Sequence, residues 1–282
     1  MLYPAELRVQ DTVMQYLRRH IARFALQSKR DMVAYMKNHT SVRSVEAAQL
    51  KGRSLRYYDF IMVAFVVILL LSNIIGAAKR SEIDLPIVGT WAYGAGLMFF
   101  PLSYIIGDVL TEVYGYARAR RVIWTGFVAM IFMAVMSAVV VALPPARDWP
   151  DQPAYDVIFG STWRIVAASI TAFWAGEFAN SFVMAKMKLW TQGKYLWTRT
   201  IGSTVVGQAL DSLLFYPLAF WGVAGWPPEQ IAQVVVAQFV LKTGWEVVLT
   251  PVTYWVVGAL KRSEGLDVYD EGTDFTPFKA KI

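Results

Sequence analysis

The chain has no cysteine, and its two histidines, His20 and His39, both lie in the first forty residues. Without thiols there are no disulfides, thiolate metal sites or cysteine nucleophiles. With no histidine beyond residue 39, neither an imidazole-based metal site nor a Ser-His-Asp triad can form in the rest of the chain. No Gly-rich phosphate loop followed by Lys is present, which excludes ATP hydrolysis by that mechanism. Charge is scarce as well, at 17% of residues, against 56% hydrophobic and 15% aromatic.

That deficit of charge has a pattern. The mean hydropathy is +0.40, and runs such as "FIMVAFVVILLLSNIIGAA" (60–78) and "VAMIFMAVMSAVVVAL" (128–143) carry no polar face of the kind a soluble bundle needs. Windows of about 20 residues, enough to cross ~30 Å of hydrocarbon, predict six spans at 58–78, 87–113, 122–143, 163–185, 200–222 and 231–260. The last is long enough to tilt, or to kink at Pro251. Lys and Arg concentrate near 51–56, 118–121, 186–199 and 261–262, so the positive-inside rule places both termini in the cytoplasm. The expected fold class is an all-α membrane protein, with six transmembrane helices around a central polar cavity.

Three regions follow. Residues 1–57 form a basic cytoplasmic or membrane-surface segment with a balance of +7, although the whole chain carries only +6. Within it, residues 11–36 have the helical apolar spacing of a surface helix. Residues 58–262 form the six-helix transmembrane domain, and 263–282 a cytoplasmic tail. The aromatic and glycine patterning of RNA-binding modules is missing, so no nucleic-acid partner is expected.

Ionisable groups inside a membrane cost several kcal/mol, on the order of 2.5–3.5 each by insertion scales, so those present call for a reason. The spans carry Asn73; Asp108 and Glu112; Glu177 and Asn180; Thr204, Gln208 and Asp211; and Gln238, Lys242 and Glu246. In the second, fourth, fifth and sixth spans each set repeats at three- or four-residue steps, which places it on one helical face. Four polar stripes should face one another, because lipid would not tolerate them. Each has a plainer reading as well. Glu112 can pair with Arg120 or Arg121 at the span's end; Lys242 and Glu246 can pair along their own helix; Asn73 and Asn180 can join helices; Thr204 can bond back to its own backbone. Glu177 and Asp211 have no partner within one turn of their own helix and point most clearly to a ligand. Asp108, beside Gly107 on a span interrupted by Pro101, reads as cavity lining, with Glu112 as gate or anchor.

The stretch "FPLSYIIGDVLTEVYGYARARRVIW" resembles the second-span signature of the queuosine precursor transporters, a bacterial inner-membrane family. "LLSNIIGAAK" resembles the end of that family's first span, "RIVAASITAFWAGEFANSFVMAKMK" its fourth, "STVVGQALDSLLFYPLAFWG" its fifth and "LKTGWEVVLTPVTYWV" its sixth. The resemblance covers roughly residues 60–262; the first 57 residues depart from it. It implies an architecture similar to the six-helix substrate-binding subunits of vitamin importers. It also implies uptake of 7-cyano-7-deazaguanine and 7-aminomethyl-7-deazaguanine for tRNA modification, with no cofactor and no catalysis.

Under that implication the substrate-binding set is Asn73, Asp108, Glu177, Asn180, Thr204, Gln208, Asp211, Gln238 and Lys242, with Glu112, Arg120 and Glu246 in gate or structural ion pairs. A guanine-type edge offers an N–H and an amine side by side to one carboxylate, and its acceptors suit Asn, Gln or Lys. Phe100, Tyr104, Phe173, Trp174, Phe215, Trp245 and Tyr254 are candidates for stacking on the ring. The alternatives are a transporter, or an ATPase-docked capture subunit, for another vitamin or nucleobase. The sequence leaves open a homodimer and an external ATPase module. An intramembrane aspartyl protease fits least, because "IIGD" places Ile106 where the Gly-x-Gly-Asp context needs glycine.

Overall fold

The computed structural model describes residues 44–46, 55–75, 80–85, 89–94, 99–160, 163–224 and 226–279. The expected surface helix at 11–36 lies outside the described residues. Among those described, the protein is mostly helical: α1 (Tyr58–Ile74), α2 (Phe100–Tyr114), α3 (Tyr116–Val141), α4 (Gln152–Phe159), α5 (Trp163–Trp190), α6 (Leu196–Phe220) and α7 (Pro228–Glu264). Four short strands accompany them. β1 (Ser44–Glu46) pairs in parallel with β4 (Asp267–Tyr269), and β2 (Arg80–Leu85) forms an antiparallel hairpin with β3 (Gly89–Gly94).

The hairpin corrects the expected second span. Residues 89–94 are extended, and the helix begins only at Phe100, with Pro101 in its first turn. Proline suits a first turn because its missing N–H has no intrahelical partner there, so Pro101 starts the helix and does not interrupt it. The fifteen-residue α2 is about 22 Å long at 1.5 Å per residue. Its short length fits its position, since from Ser103 to Tyr114 nearly every side chain is buried against other helices.

The other helices divide into buried and exposed parts. In α1 the buried residues Tyr58, Phe65, Leu69 and Ser72 form one stripe. It meets α3 at Gly126, where an added Cβ would lie 2.9 Å from Leu69 Cδ2. Beyond that contact α3 turns a wholly apolar surface outward, including Val128, Phe132, Val135 and Val139. Such a continuous exposed apolar face is what a lipid-facing helix presents. By length and composition, α3, α7 and the stretch containing α5 are long and apolar enough to cross a membrane.

The chain changes direction sharply between α2 and α3. Gly115 adopts φ +83°, and a Cβ there would come within 2.9 Å of Val268 Cγ1. The first amide of α3, Tyr116 N–H, donates to both carboxylate oxygens of Asp270 at 3.1 and 3.0 Å. An acid from the tail thus caps a helix N-terminus, where orphan amides and the helix dipole favour negative charge.

The tail holds this end of the bundle. Arg120 donates to the Asp274 and Thr276 carbonyls at 2.9 and 2.7 Å, and Trp124 Nε1 to the Pro277 carbonyl at 2.7 Å. Phe275 packs on Tyr116 and Phe182. Just before the tail, Glu264 accepts from the backbone amides of Arg56 and Tyr57 and from the Tyr114 hydroxyl. Residues 265–279 are therefore a docked strap, and the described parts of the basic segment join it.

Candidate functional site: a polar layer between four helices

Helices α5 and α6 pack along their length, and small residues allow the closest approach. A Cβ at Gly176 would lie 3.1 Å from the Gly207 carbonyl, and one at Gly207 would lie 2.9 Å from Asn180 Cβ. Facing glycines are how membrane helices bring backbones together. Their effect is to set Glu177 and Asn180 of α5 beside Thr204, Gln208 and Asp211 of α6. Gly107 does the same for α2, because a Cβ there would lie 3.3 Å from Glu177 Oε2.

Most of the residues nominated by sequence meet here. Asp108 is fully buried and accepts from Asn180 Nδ2 at 3.0 Å. Tyr104 donates its hydroxyl to Gln208 Oε1 at 2.8 Å. Lys242 donates to Asp211 Oδ2 at 2.7 Å, with the Asp211 side chain 23% exposed. Glu246, one turn along α7 from Lys242, is buried, and neither of its carboxylate oxygens has a partner among the described residues. Asp108 Oδ2, Asn180 Oδ1 and Thr204 Oγ1 are likewise buried without a partner. Buried polar atoms are normally satisfied, so those without a partner among the described residues of α2, α5, α6 and α7 make this layer the candidate binding site.

Two nominated residues stand apart. Asn73, at the end of α1, donates to the Leu69 carbonyl and accepts weakly from Ser169 at 3.4 Å, which is the helix-joining role. Gln238 is half-buried one turn before Lys242 on α7. Among the aromatics, Tyr104 enters the polar layer through its hydroxyl, whereas Tyr254 accepts from the Trp197 amide at 3.0 Å and Trp174 packs among Trp124, Phe178 and Phe278. The Phe100 side chain lies outside the described set.

None of the three gate or ion-pair residues makes the pairing the sequence suggests. Glu112 does not turn to Arg120 or Arg121. It takes Arg199 in a two-pronged pair at 2.7 and 2.8 Å and is bonded by Lys261, and Lys188 Nζ lies 3.5 Å away. Lys188 and Lys261 both reach Asp267 of the tail at 2.7 Å. All five side chains are buried. Burial opposes the charge of Asp267, yet the Lys188 and Lys261 ammonium groups hold its carboxyl below the usual carboxylate range. Arg120 serves the tail carbonyls, as described above. Glu246 does not pair with Lys242, whose ammonium goes to Asp211.

Lys188, Arg199, Lys261 and Asp267 belong to no nominated set. Sequence reasoning assigned such cations to orientation, and their distinguishing signal is a position in the first or last turn of a long helix, Arg199 at the start of α6 and Lys188 and Lys261 near the ends of α5 and α7. A buried carboxylate needs cations within reach, but which of many basic residues supply them is a matter of tertiary packing.

The sequence profile of the family described as "Putative vitamin uptake transporter" matches residues 94–256, more than half of the chain. The chain belongs to this family. It is 27% identical over 160 residues to a Bacillus subtilis (strain 168) protein named "Probable queuosine precursor transporter", covering 56% of this chain and 69% of that protein. It is 28% identical over 132 residues to the Escherichia coli (strain K12) "Queuosine precursor transporter", covering 47% of this chain and 55% of that one. No solved structure matches. The matched region contains every residue of the polar layer and starts after the hairpin's first strand. Family membership and the apolar helices make this a multi-pass membrane transporter, not an enzyme.

Proposed function

We propose that the protein takes up queuosine precursors of the 7-deazaguanine class across the bacterial inner membrane. The observation that carries the reading is the set of buried, unpartnered polar atoms between α5 and α6, Asn180 Oδ1 and Thr204 Oγ1, beside Glu177 and the Tyr104–Gln208 pair. A flat, neutral base with several donors and acceptors answers such a set better than a simple ion does. The names of the two bacterial relatives supply the substrate class.

In this reading the six longer helices each cross the membrane, α2 as a short, enclosed one, and the polar layer lines a cavity between them. Glu177 accepts from the ring N–H and the exocyclic amine together. Gln208, held by Tyr104, and Asn180, held by Asp108, present an amide each to the remaining edge. Lys242 balances Asp211 at the rim. The strap end, rich in Lys and Arg, faces the cytoplasm, with the 144–162 loop outside.

Binding of 7-cyano-7-deazaguanine, guanine and a panel of vitamins to the purified full chain tests the substrate. Tight binding of the deazaguanine alone supports it, whereas a vitamin in its place assigns another substrate. Topology has its own check. A cysteine at Asp151 should react with an impermeant thiol reagent from outside, and one at Lys194 should not.

A further inference from the structure

The last part of the strap runs along the side of the bundle, in the groove where α3 packs on α5. On α3, Tyr116, Arg120 and Trp124 follow one another at four-residue steps and form a ridge of side-chain donors. All three donate to consecutive carbonyls of the strap. Arg120 reaches those of Asp274 and Thr276 at 2.9 and 2.7 Å, Tyr116 that of Phe275 at 2.9 Å, and Trp124 that of Pro277 at 2.7 Å. The Thr276 amide returns to Asp274 Oδ1 at 2.9 Å, and Pro277 has no N–H to satisfy. Irregular backbone is tolerated at membrane depth only where its polar groups are answered by protein in this way.

The same ridge measures depth. At 1.5 Å per residue, Trp124 lies about 26 Å along α3 from its far end at Val141, and Tyr116 about 38 Å. A hydrocarbon layer of ~30 Å starting at that far end takes in Trp124 and leaves Tyr116 outside. Phe275 packs on Tyr116 and on Phe182 of α5. Phe278 packs on Trp124 and on Trp174, about two turns further along α5. From Phe275 to Phe278 the strap therefore descends along both helices. Phe278 is 71% exposed and stands beside Trp124, beyond which the ridge is bare and apolar at Val128 and Phe132. Lys279 folds back to Asp274 Oδ2 at 2.9 Å, which carries its charge toward the shallow end, as lysines at membrane boundaries do.

We infer that residues 275–278 re-enter the membrane boundary as a lipid-contacting edge of the bundle, with the exposed face of Phe278 against acyl chains. The inference needs α3 to cross the membrane and does not depend on the substrate proposed above. The strap then has two ends in different surroundings: Asp267 joins the buried ion network, and Phe278 meets lipid. Water is the other candidate for covering Phe278. The two are separable, because a carboxylate at that position is harmless in water and costly in hydrocarbon.

The absence of cysteine allows a single labelled site per chain. A nitroxide attached through Phe278→Cys, on the full chain in phosphatidylcholine–phosphatidylglycerol vesicles, should be relaxed more by oxygen, which concentrates in hydrocarbon, than by a water-soluble nickel chelate. Val128→Cys should show the same order. Glu271→Cys, on the exposed turn that precedes the docked segment, should show the reverse. A label at Phe278 that behaves like the one at Glu271 overturns the inference.

A second measurement needs no label. In nanodiscs, Phe278→Leu should keep the thermal unfolding midpoint, and Phe278→Asp should lower it by several degrees, on the order expected for a cost of one or two kcal/mol. Equal midpoints for the two variants put Phe278 in water and overturn the lipid contact.

Discussion

Two polar layers lie about one helical turn apart on α2, and they are built in opposite ways. Glu112 sits in a closed network in which it binds Arg199 and shares Lys188 and Lys261 with Asp267, so each buried charge has a partner of opposite sign. Asp108, one turn away, accepts from Asn180, and among the described residues its Oδ2, the Glu246 carboxylate and Thr204 Oγ1 have no hydrogen-bond partner. Both layers bury acids inside apolar helices, yet only the first satisfies them internally. A saturated network stabilises one arrangement of helices and tail. An unsaturated one is costly unless a proton or ligand completes it. Within one bundle, the degree of satisfaction separates the residues that hold the structure from those proposed above to bind the substrate.

The sharpest way to break this contrast is to remove Glu112. Glu112→Ala takes from buried Arg199 the carboxylate it grips with two hydrogen bonds and leaves Lys188 and Lys261 sharing Asp267, and unpairing a buried ion pair costs about 3–5 kcal/mol. The thermal unfolding midpoint in detergent should fall steeply, and a stability close to wild type would show that the network contributes little. The same layer should weaken in acid. Asp267 is held below its ordinary carboxylate range in the folded protein, so its contribution is complete above that range and is lost as pH falls through the depressed value. Melting followed from neutral to acid pH should show this loss, and Asp267→Asn should flatten it.

In the unsaturated layer, Glu177→Gln should leave folding nearly intact and weaken binding of 7-cyano-7-deazaguanine by about 2–3 kcal/mol, the scale of a charged hydrogen bond. Equal affinity in calorimetry would make this carboxylate structural. Gly207→Ala comes next. Its new methyl would meet Asn180 Cβ at 2.9 Å, forcing α5 and α6 apart at a cost of about 1–3 kcal/mol. Stability and affinity should fall together, whereas Gly244→Ala, with open space around it, should change neither through packing. The smallest effect belongs to the Asp211–Lys242 pair. Partly exposed, it should give a coupling below about 1 kcal/mol in a double-mutant cycle on stability.

Much of the polar layer was legible because the membrane makes each intramembrane polar residue conspicuous. Spacing alone put Asp108, Glu177, Asn180, Thr204, Gln208, Lys242 and Glu246 on helical faces that had to meet. Tyr104 was nominated as a stacking ring, yet it enters through its hydroxyl on Gln208, a role invisible without its neighbour's position. The start of α2 was misplaced for a related reason. Residues 87–99 are apolar and aromatic enough to extend a hydrophobic window, but such a window does not distinguish an apolar strand from a helix.

The sequence by itself determined a membrane-embedded helical chain, the approximate position of its long helices apart from the start of α2, and which side chains are too polar for lipid, because each of these follows from local composition and period. Only the tertiary structure decided the pairings. It sent Glu112 to Arg199, Lys188 and Lys261 from three other helices, gave Lys242 to Asp211 and left the Glu246 carboxylate without a partner among the described residues. It also folded the last residues back as a strap on Tyr116, Arg120 and Trp124. A residue's period fixes its face within one helix. Which faces meet, and at what depth, depends on where glycines such as Gly107, Gly176 and Gly207 let backbones approach, and that is set by the packing of the whole bundle.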